Sequence, residues 1–130
     1  MRLHTTSPVF LVADVAATLR WYRENFGFEG LPFPEHPPHF FGIMTRDGVE
    51  IMLQQLDGYE KPDVYKEREG GVWNVYVRME DVRELYAQVS QRPGVTVLEP
   101  LCEQEYGQIE FVIRDPNGYA IVFAEPMRSR

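Results

Sequence analysis

The sequence predicts an α+β protein built from two tandem modules, each with the order strand, helix, strand and β-hairpin. An Asp-Val pair occurs at positions 14–15 and again at 81–82, each time between an apolar-rich run and an amphipathic stretch. Glycine-containing turn pairs occur at 47–48 and 117–118, each between two apolar-rich runs. Because both features return in the same order, we interpret the chain as an internal duplication of a βαβββ unit.

Each Asp-Val pair predicts the start of a helix, because an aspartate carboxylate accepts hydrogen bonds from the free backbone N–H groups of the first turn. Apolar residues follow Asp14 at helical spacing, and the first strand and helix span 7–28. Glu84 follows Asp81 by three residues, which is the pattern of a capping box, and the second helix spans 82–91.

The turn pairs predict that each module ends in a hairpin, at 40–56 and at 108–124, because Gly and Asn tolerate positive φ. Strands at 72–79 and 95–101 complete module two. The corresponding stretch of module one, LPFPEHPPHF, holds four prolines. Proline donates no backbone hydrogen bond, so the second strand of module one is predicted to be degraded or edge-like.

A length of 130 residues predicts one domain, with module one at 1–56, a charged linker at 57–71 and module two at 72–126. The net charge of −7 and the lack of a basic stripe argue against nucleic-acid binding. No apolar run is long enough for a membrane span or a signal peptide. The single cysteine, Cys102, fits a reducing compartment, so we expect a cytoplasmic protein.

The duplicated pattern and the turn RDPNG, at 114–118, resemble the vicinal oxygen chelate superfamily, which includes glyoxalase I, extradiol dioxygenases and bleomycin-resistance proteins. The pairs Tyr-Gly at 106–107 and Glu-Phe at 110–111, followed by Arg-Asp-Pro at 114–116, are most similar to the bleomycin-resistance group. The resemblance covers nearly the whole chain. It implies a curved mixed sheet around a cleft with the helices outside, and a homodimer that in many members completes the cleft.

The resemblance also identifies the four positions at which metal-dependent members hold one divalent ion. Here those positions carry Ser7, Met52, Asn74 and Val122. None of them is an imidazole or a carboxylate, so no metal and no cofactor are predicted. A shift of two residues would place Glu50 inward, and His36 and His39 are the only tempting replacements. A metal-dependent lyase or dioxygenase with an unusual ligand set is therefore the alternative.

Strand alternation predicts which residues line the cleft, because alternate residues share a face. The ligand-binding candidates are Phe33, Phe40, Glu50, Met52, Asn74, Tyr76, Tyr106, Glu110 and Val122. The same alternation directs Trp73 toward the helix layer. Aromatic side chains stack on planar ligands and glutamates pair with cations, although Arg78, Arg114 or water could pair with Glu50 and Glu110 instead.

These residues favour a metal-free protein that sequesters a planar organic ligand, which can be cationic. No catalytic residues are predicted. For the bleomycin-resistance group this activity implies antibiotic resistance. A metal-free enzyme that uses Glu50 or Glu110 as a general base is a third possibility. We interpret RDPNG as architecture, with Asp115 capping the turn and Pro116 fixing φ.

Overall fold

The structure, a computed structural model, describes residues 1–128. The chain forms two compact units, Met1–Lys61 and Pro62–Arg130. Each unit contains one α-helix and one four-stranded mixed sheet. The α+β prediction of two tandem βαβββ modules is therefore confirmed.

The first unit has its elements in the predicted order. They are β1 (Val9–Val12), α1 (Val15–Phe26), β2 (Glu29–Phe33), β3 (Phe41–Arg46) and β4 (Val49–Gln55). The sheet order is β1-β4-β3-β2, with β1 parallel to β4 and the other pairs antiparallel. The proline-containing strand β2 lies at the edge, as predicted, since an edge strand leaves one row of backbone groups unpaired.

The second unit repeats this topology. Its elements are a 3-10 helix (Tyr65–Glu67), β5 (Val75–Arg78), α2 (Val82–Val89), β6 (Thr96–Glu103), β7 (Gln108–Arg114) and β8 (Ala120–Pro126). The sheet order is β5-β8-β7-β6, and β5 is parallel to β8. Residues from 62 onward in the predicted linker belong to this unit, where the 3-10 helix precedes β5.

The two helices begin differently although both follow an Asp-Val pair. Asp14 is extended and its Oδ1 accepts a hydrogen bond from the Ala17 N–H at 3.0 Å, which confirms the predicted cap. Asp81 has a φ of 61°, and its carboxylate makes no capping bond. The predicted capping box is therefore wrong, because a capping aspartate needs an extended backbone to reach the first turn. The Glu125 carboxylate instead accepts the N–H groups of Asp81 and Val82, both at 3.1 Å.

The turn before β8 is stabilised by Asp115, as predicted. Its Oδ1 accepts hydrogen bonds from the N–H groups of Asn117 and Tyr119, each at 2.9 Å. The Asp115 residue is buried. A buried carboxylate is tolerated only when donors satisfy it, so the RDPNG segment has a structural role.

Each sheet packs one face on its helix. In the second unit, α2 contacts β7 and β8, and the ring of Tyr86 lies 5.0 Å from that of Phe111. Phe111 in turn stacks on Phe123 at 5.3 Å. The opposite face of this sheet carries Tyr76 and Glu110, because strand residues alternate between faces. No helix within residues 1–128 combines the length and the apolar character that a membrane crossing requires.

Candidate ligand-binding site

A buried carboxylate forms the centre of the open sheet face in the second unit. Glu110 on β7 is 3% exposed. The Tyr76 hydroxyl donates to its Oε2 at 2.7 Å, and the Tyr106 hydroxyl donates to its Oε1. Burying a carboxylate is costly unless each oxygen receives a donor. The partners of Glu110 are therefore two tyrosine hydroxyls, and not Arg78 or Arg114, which the sequence offered as alternatives. Arg114 pairs with Asp63 at 3.1 Å.

Both tyrosines are held in their protonated form. Burial, together with the hydrogen bond to Glu110 and its charge, raises the pKa of Tyr76 to about 12, although Arg78 acts in the opposite direction. Burial and the Glu110 hydrogen bond likewise raise the pKa of Tyr106. Tyrosinate is thus disfavoured at neutral pH, and these hydroxyls serve as hydrogen-bond donors and not as bases.

A pocket of 340 Å³ opens beside this cluster. Its lining includes Glu69, Trp73, Glu99, Tyr106, Glu110 and Val112. The ring of Trp73 lies 5.6 Å from that of Tyr76. The predicted direction of Trp73 is therefore wrong: β5 begins only at Val75, so strand alternation does not extend back to residue 73.

The pocket wall has an acidic balance. Three carboxylates line it, those of Glu69, Glu99 and Glu110, against one guanidinium, that of Arg68. Arg68 Nη1 donates to the backbone carbonyls of Glu69 at 3.2 Å and Gly71 at 3.1 Å. With three carboxylates against one guanidinium, the wall as a whole attracts positive charge.

The floor of this face is apolar and covered. It consists of Val112, Ala120, Val122 and Ala124, each 3% exposed or less, with Tyr65, Tyr76 and Leu98 packed against it. Val122, predicted to line the cleft, lies in this floor with no exposed surface. The sequence did not identify Tyr65. A Cβ on Gly71 would lie 2.4 Å from the Tyr65 ring, so this ring requires a glycine at position 71. The Gly70-Gly71 pair is therefore the sequence feature that could have indicated where Tyr65 packs.

The other predicted residue of the second unit, Asn74, has a structural contact. Its Oδ1 accepts the Ala120 N–H at 2.9 Å, and its own N–H donates to the Ala120 carbonyl at 2.9 Å. The amide therefore joins the approach to β5 with the start of β8. Of the candidates in this unit, the structure brings Tyr76, Tyr106 and Glu110 together around one point.

The remaining candidates belong to the first unit. Glu50 accepts a hydrogen bond from Ser7 Oγ at 2.9 Å. Met52 lies on the same sheet face, half-buried, opposite Val9 on β1. The rings of Phe33 and Phe41 are 6.0 Å apart on this face. Phe40, which precedes β3, is largely exposed.

The residues at the superfamily's metal positions do not fit a divalent ion. Ser7 donates to Glu50, and the Asn74 oxygen is bonded to the Ala120 N–H. Met52 offers only a soft thioether and Val122 offers no donor. Within residues 1–128 no three His, Cys, Asp or Glu side chains converge as metal ligands would. In the proline-rich loop, the His39 Nδ1 lies 2.7 Å from the Pro34 carbonyl oxygen.

Three solved structures with this fold share little sequence with the chain. TioX from Micromonospora sp. ML1 is 19% identical, with a TM-score of 0.71 over 98% of this chain and 99% of that one. A bleomycin-binding protein from Streptomyces verticillus, complexed with copper(II)-bleomycin, is 17% identical, with a TM-score of 0.67 over 99% of both chains. A glyoxalase-related enzyme from Clostridium phytofermentans is 14% identical, with a TM-score of 0.73 over 98% of both chains. At these identities the likeness concerns the fold.

No functionally curated protein matches the sequence. A family model does match it, over residues 3–123, which is nearly the whole chain and agrees with the duplicated βαβββ topology. The chain therefore belongs to the Glyoxalase/Bleomycin resistance protein/Dioxygenase superfamily.

Proposed function

We propose that this protein binds a planar, cationic organic molecule in the pocket of its second module and sequesters it without chemical change. One observation carries the proposal: a buried glutamate, held by two protonated tyrosines, lies at the wall of an aromatic pocket. Such a wall offers both a flat surface and a fixed negative group.

The aromatic side chains provide the stacking surface. Trp73 and Tyr106 line the pocket, with exposed fractions of 39% and 57%, and Tyr76 lies beside Trp73. Large rings with exposed faces lose little conformational entropy when a flat ligand stacks on them, and they attract cations through their π-faces. A volume of 340 Å³ is within the usual range for ligand pockets, about 300–1,000 Å³.

The charges favour a positive ligand. Glu69 and Glu99 line the pocket with exposed side chains, while the Glu110 charge is fixed below them. The one basic residue of the lining, Arg68, is bound to backbone carbonyls. A cation therefore gains attraction without having to displace an ion pair.

The same contacts favour binding over catalysis. A general base must come within hydrogen-bond reach of the substrate proton, whereas the oxygens of Glu110 are directed at donors of the protein itself. Both Glu110 oxygens already accept a tyrosine hydrogen bond. The raised pKa of Tyr76, about 12, removes that phenol as a base near neutral pH.

Bleomycin is the first probe to test, because the fold is shared with a bleomycin-binding protein. We expect a Kd in the micromolar range, about −8 kcal/mol, by calorimetry, with quenching of Trp73 fluorescence. Tyr106→Ala should weaken binding about tenfold or more through loss of one stacking ring. Tyr59→Ala, in the first unit, is the matched control and should bind as the unchanged protein does.

The absence of both heat and tryptophan quenching at high micromolar bleomycin would exclude that drug as the ligand. Elemental analysis of protein purified without chelator tests the metal-free part of the proposal. Stoichiometric Ni, Zn, Mn or Fe would overturn it in favour of a metal-dependent lyase or dioxygenase.

We also propose that the protein is a homodimer in the cytoplasm, where it would confer antibiotic resistance by sequestration. Val9, Leu31 and Phe33 lie on one face of the first sheet and are 50%, 61% and 42% exposed. A second copy could bury this apolar face. Light scattering should give twice the 15.2 kDa chain mass, and Leu31→Glu should give the single mass. The exposed free thiol of Cys102 suits a reducing compartment.

A further inference from the structure

A second hollow lies on the same sheet face and shares a wall with the pocket. It measures 350 Å³ and is lined by Tyr76, Arg78, Tyr106 and Gln108. The Tyr106 side chain lines both spaces. In contrast to the pocket, this hollow carries a cation and no carboxylate in its lining, so a different chemical group must fit there.

Gln108 supplies an unused acceptor. Its side-chain oxygen is buried and has no hydrogen-bond partner among the described residues. A buried acceptor without a donor is destabilising, and proteins rarely keep one without a reason. A ligand N–H group would satisfy this oxygen once the Gln108 side chain, which lines the hollow, turns it toward the ligand.

Arg78 supplies a charge for an anion. Its guanidinium carbon lies 5.3 Å from the centre of the Tyr76 ring. Across residues 1–128 it forms no ion pair, whereas Arg46, Arg83 and Arg114 each do. A guanidinium placed over an aromatic ring retains its donors for a carboxylate, which it can bind through two parallel bonds.

The sheet register leaves room above the strand that separates Arg78 from Glu110. Arg78 on β5 and Glu110 on β7 both pair with Ala124 on β8. Gln108 pairs with Pro126, two residues further along β8 on the same face. The residue between Arg78 and Glu110 is thus an alanine, whose methyl group fills little of the space above the sheet.

We propose that this hollow is a polar subsite for a carboxylate that neighbours a secondary amide, the group found in N-acylated amino acids. The amide N–H donates to the Gln108 oxygen, the carboxylate pairs with Arg78, and the acyl side lies against Tyr106. This inference rests on the proposed function: the ligand extends from its planar cation in the pocket, past Tyr106, to an acylated amino-acid end in the hollow.

Benzoylglycine, which contains this group and a single ring, tests the subsite directly. In titrations followed by ¹H–¹⁵N NMR we expect a Kd of about 1 mM, with shifts at Arg78, Gln108 and Tyr106. Benzoate lacks the amide and methyl benzoylglycinate lacks the carboxylate, so each should bind at least fivefold more weakly. Equal binding of all three compounds would overturn the proposal.

Two variants and one control variant separate a binding role from a structural one. Arg78→Ala should weaken benzoylglycine at least tenfold, since a charged hydrogen-bonded pair is lost. Arg83→Ala, which removes an equal charge from α2, should leave its affinity unchanged. Gln108→Leu should also weaken binding, about fivefold, yet raise or preserve the melting temperature because it removes the unpartnered acceptor. A destabilised Gln108→Leu protein with normal affinity would contradict the assignment.

The bleomycin titration tests the pocket and the benzoylglycine titration tests the subsite, so a negative result in one does not decide the other. If bleomycin gives no heat while benzoylglycine binds through Arg78, the subsite stands and the pocket has a different ligand. If bleomycin binds while benzoylglycine causes no shift at Arg78 or Gln108, the subsite is refuted and the proposed function is retained.

Discussion

The two modules share one topology but differ in what covers the open face of the sheet. In the first, Val9, Leu31 and Phe33 are 42% exposed or more. In the second, an apolar floor formed by Val112, Ala120, Val122 and Ala124 is 3% exposed or less, and Tyr65, Tyr76 and Leu98 pack on it. Tyr65 comes from a segment before β5. Duplication thus supplied two similar sheets, and side chains that differ between the copies, together with Tyr65 ahead of β5, shape the face of the second sheet that holds the polar pocket.

The glutamates of the two modules show the same difference. Glu50 is half-buried and has a single serine partner. Glu110 is 3% exposed and has two tyrosine partners. A hydrogen bond at a half-exposed position competes with water, whereas a buried one is difficult to replace.

The largest effect that tests this comparison is expected from glutamate truncation. Glu110→Ala should lower the free energy of unfolding by about 2–3 kcal/mol, because it leaves a buried void and removes the acceptor of Tyr76. Glu50→Ala should cost less than about 1 kcal/mol. Urea unfolding of both variants measures the difference. Equal losses would show that the second cluster has no special stability.

The helix starts provide the next test. Asp14→Ala should cost about 1 kcal/mol through loss of the cap to the Ala17 N–H. Asp81→Gly should instead stabilise the protein by about 0.5–1 kcal/mol, since glycine adopts the φ of 61° without strain. Thermal unfolding should move in opposite directions for the two variants. A lower melting temperature for Asp81→Gly would mean that the backbone entropy of glycine in the unfolded chain, or a contribution of the carboxylate, exceeds the relieved strain.

A smaller effect is expected from the Tyr65 hydroxyl, which is buried with no partner among the described residues. Burial, followed by the nearby Glu99, raises the pKa of this phenol, while Arg114 opposes them. Tyr65→Phe should leave stability unchanged or raise it by up to about 1 kcal/mol, because an unsatisfied polar group is removed. Tyr59→Phe is the control from the first unit. A clear loss of stability in Tyr65→Phe would reveal a partner, such as ordered water, for the hydroxyl.

The smallest expected effect is a spectroscopic shift at alkaline pH. With a folded pKa of about 12 against an ordinary value of 10.0, Tyr76 contributes stability fully below pH 10. That contribution is lost as the pH rises through 12. Absorbance at the tyrosinate band should show Tyr76 titrating late, and Glu110→Gln should shift it partly back toward 10. The shift remains partial because burial is the largest cause. An unchanged titration in Glu110→Gln would show that the carboxylate does not contribute to the raised pKa of Tyr76.

The sequence alone determined the repeated topology. Helix and strand periodicities, the aspartate before each helix and the two glycine turns are local signals, so βαβββ order and the edge position of β2 followed from them. The turn at Asp115 and the cap at Asp14 were also predictable, because their partners lie within four residues. The shared face of Tyr76 and Glu110 followed from strand alternation.

Only the tertiary structure decided the partners. Glu125 caps α2 from 43 residues away, and Tyr76 reaches Glu110 across 34 residues. No local pattern encodes such pairs, because they depend on how strands order within the sheet. Trp73 and Tyr65 lie outside regular elements, where periodicity gives no direction. The chain therefore specified two similar sheets through short-range rules, and packing at long range gave one of them a buried carboxylate and a pocket.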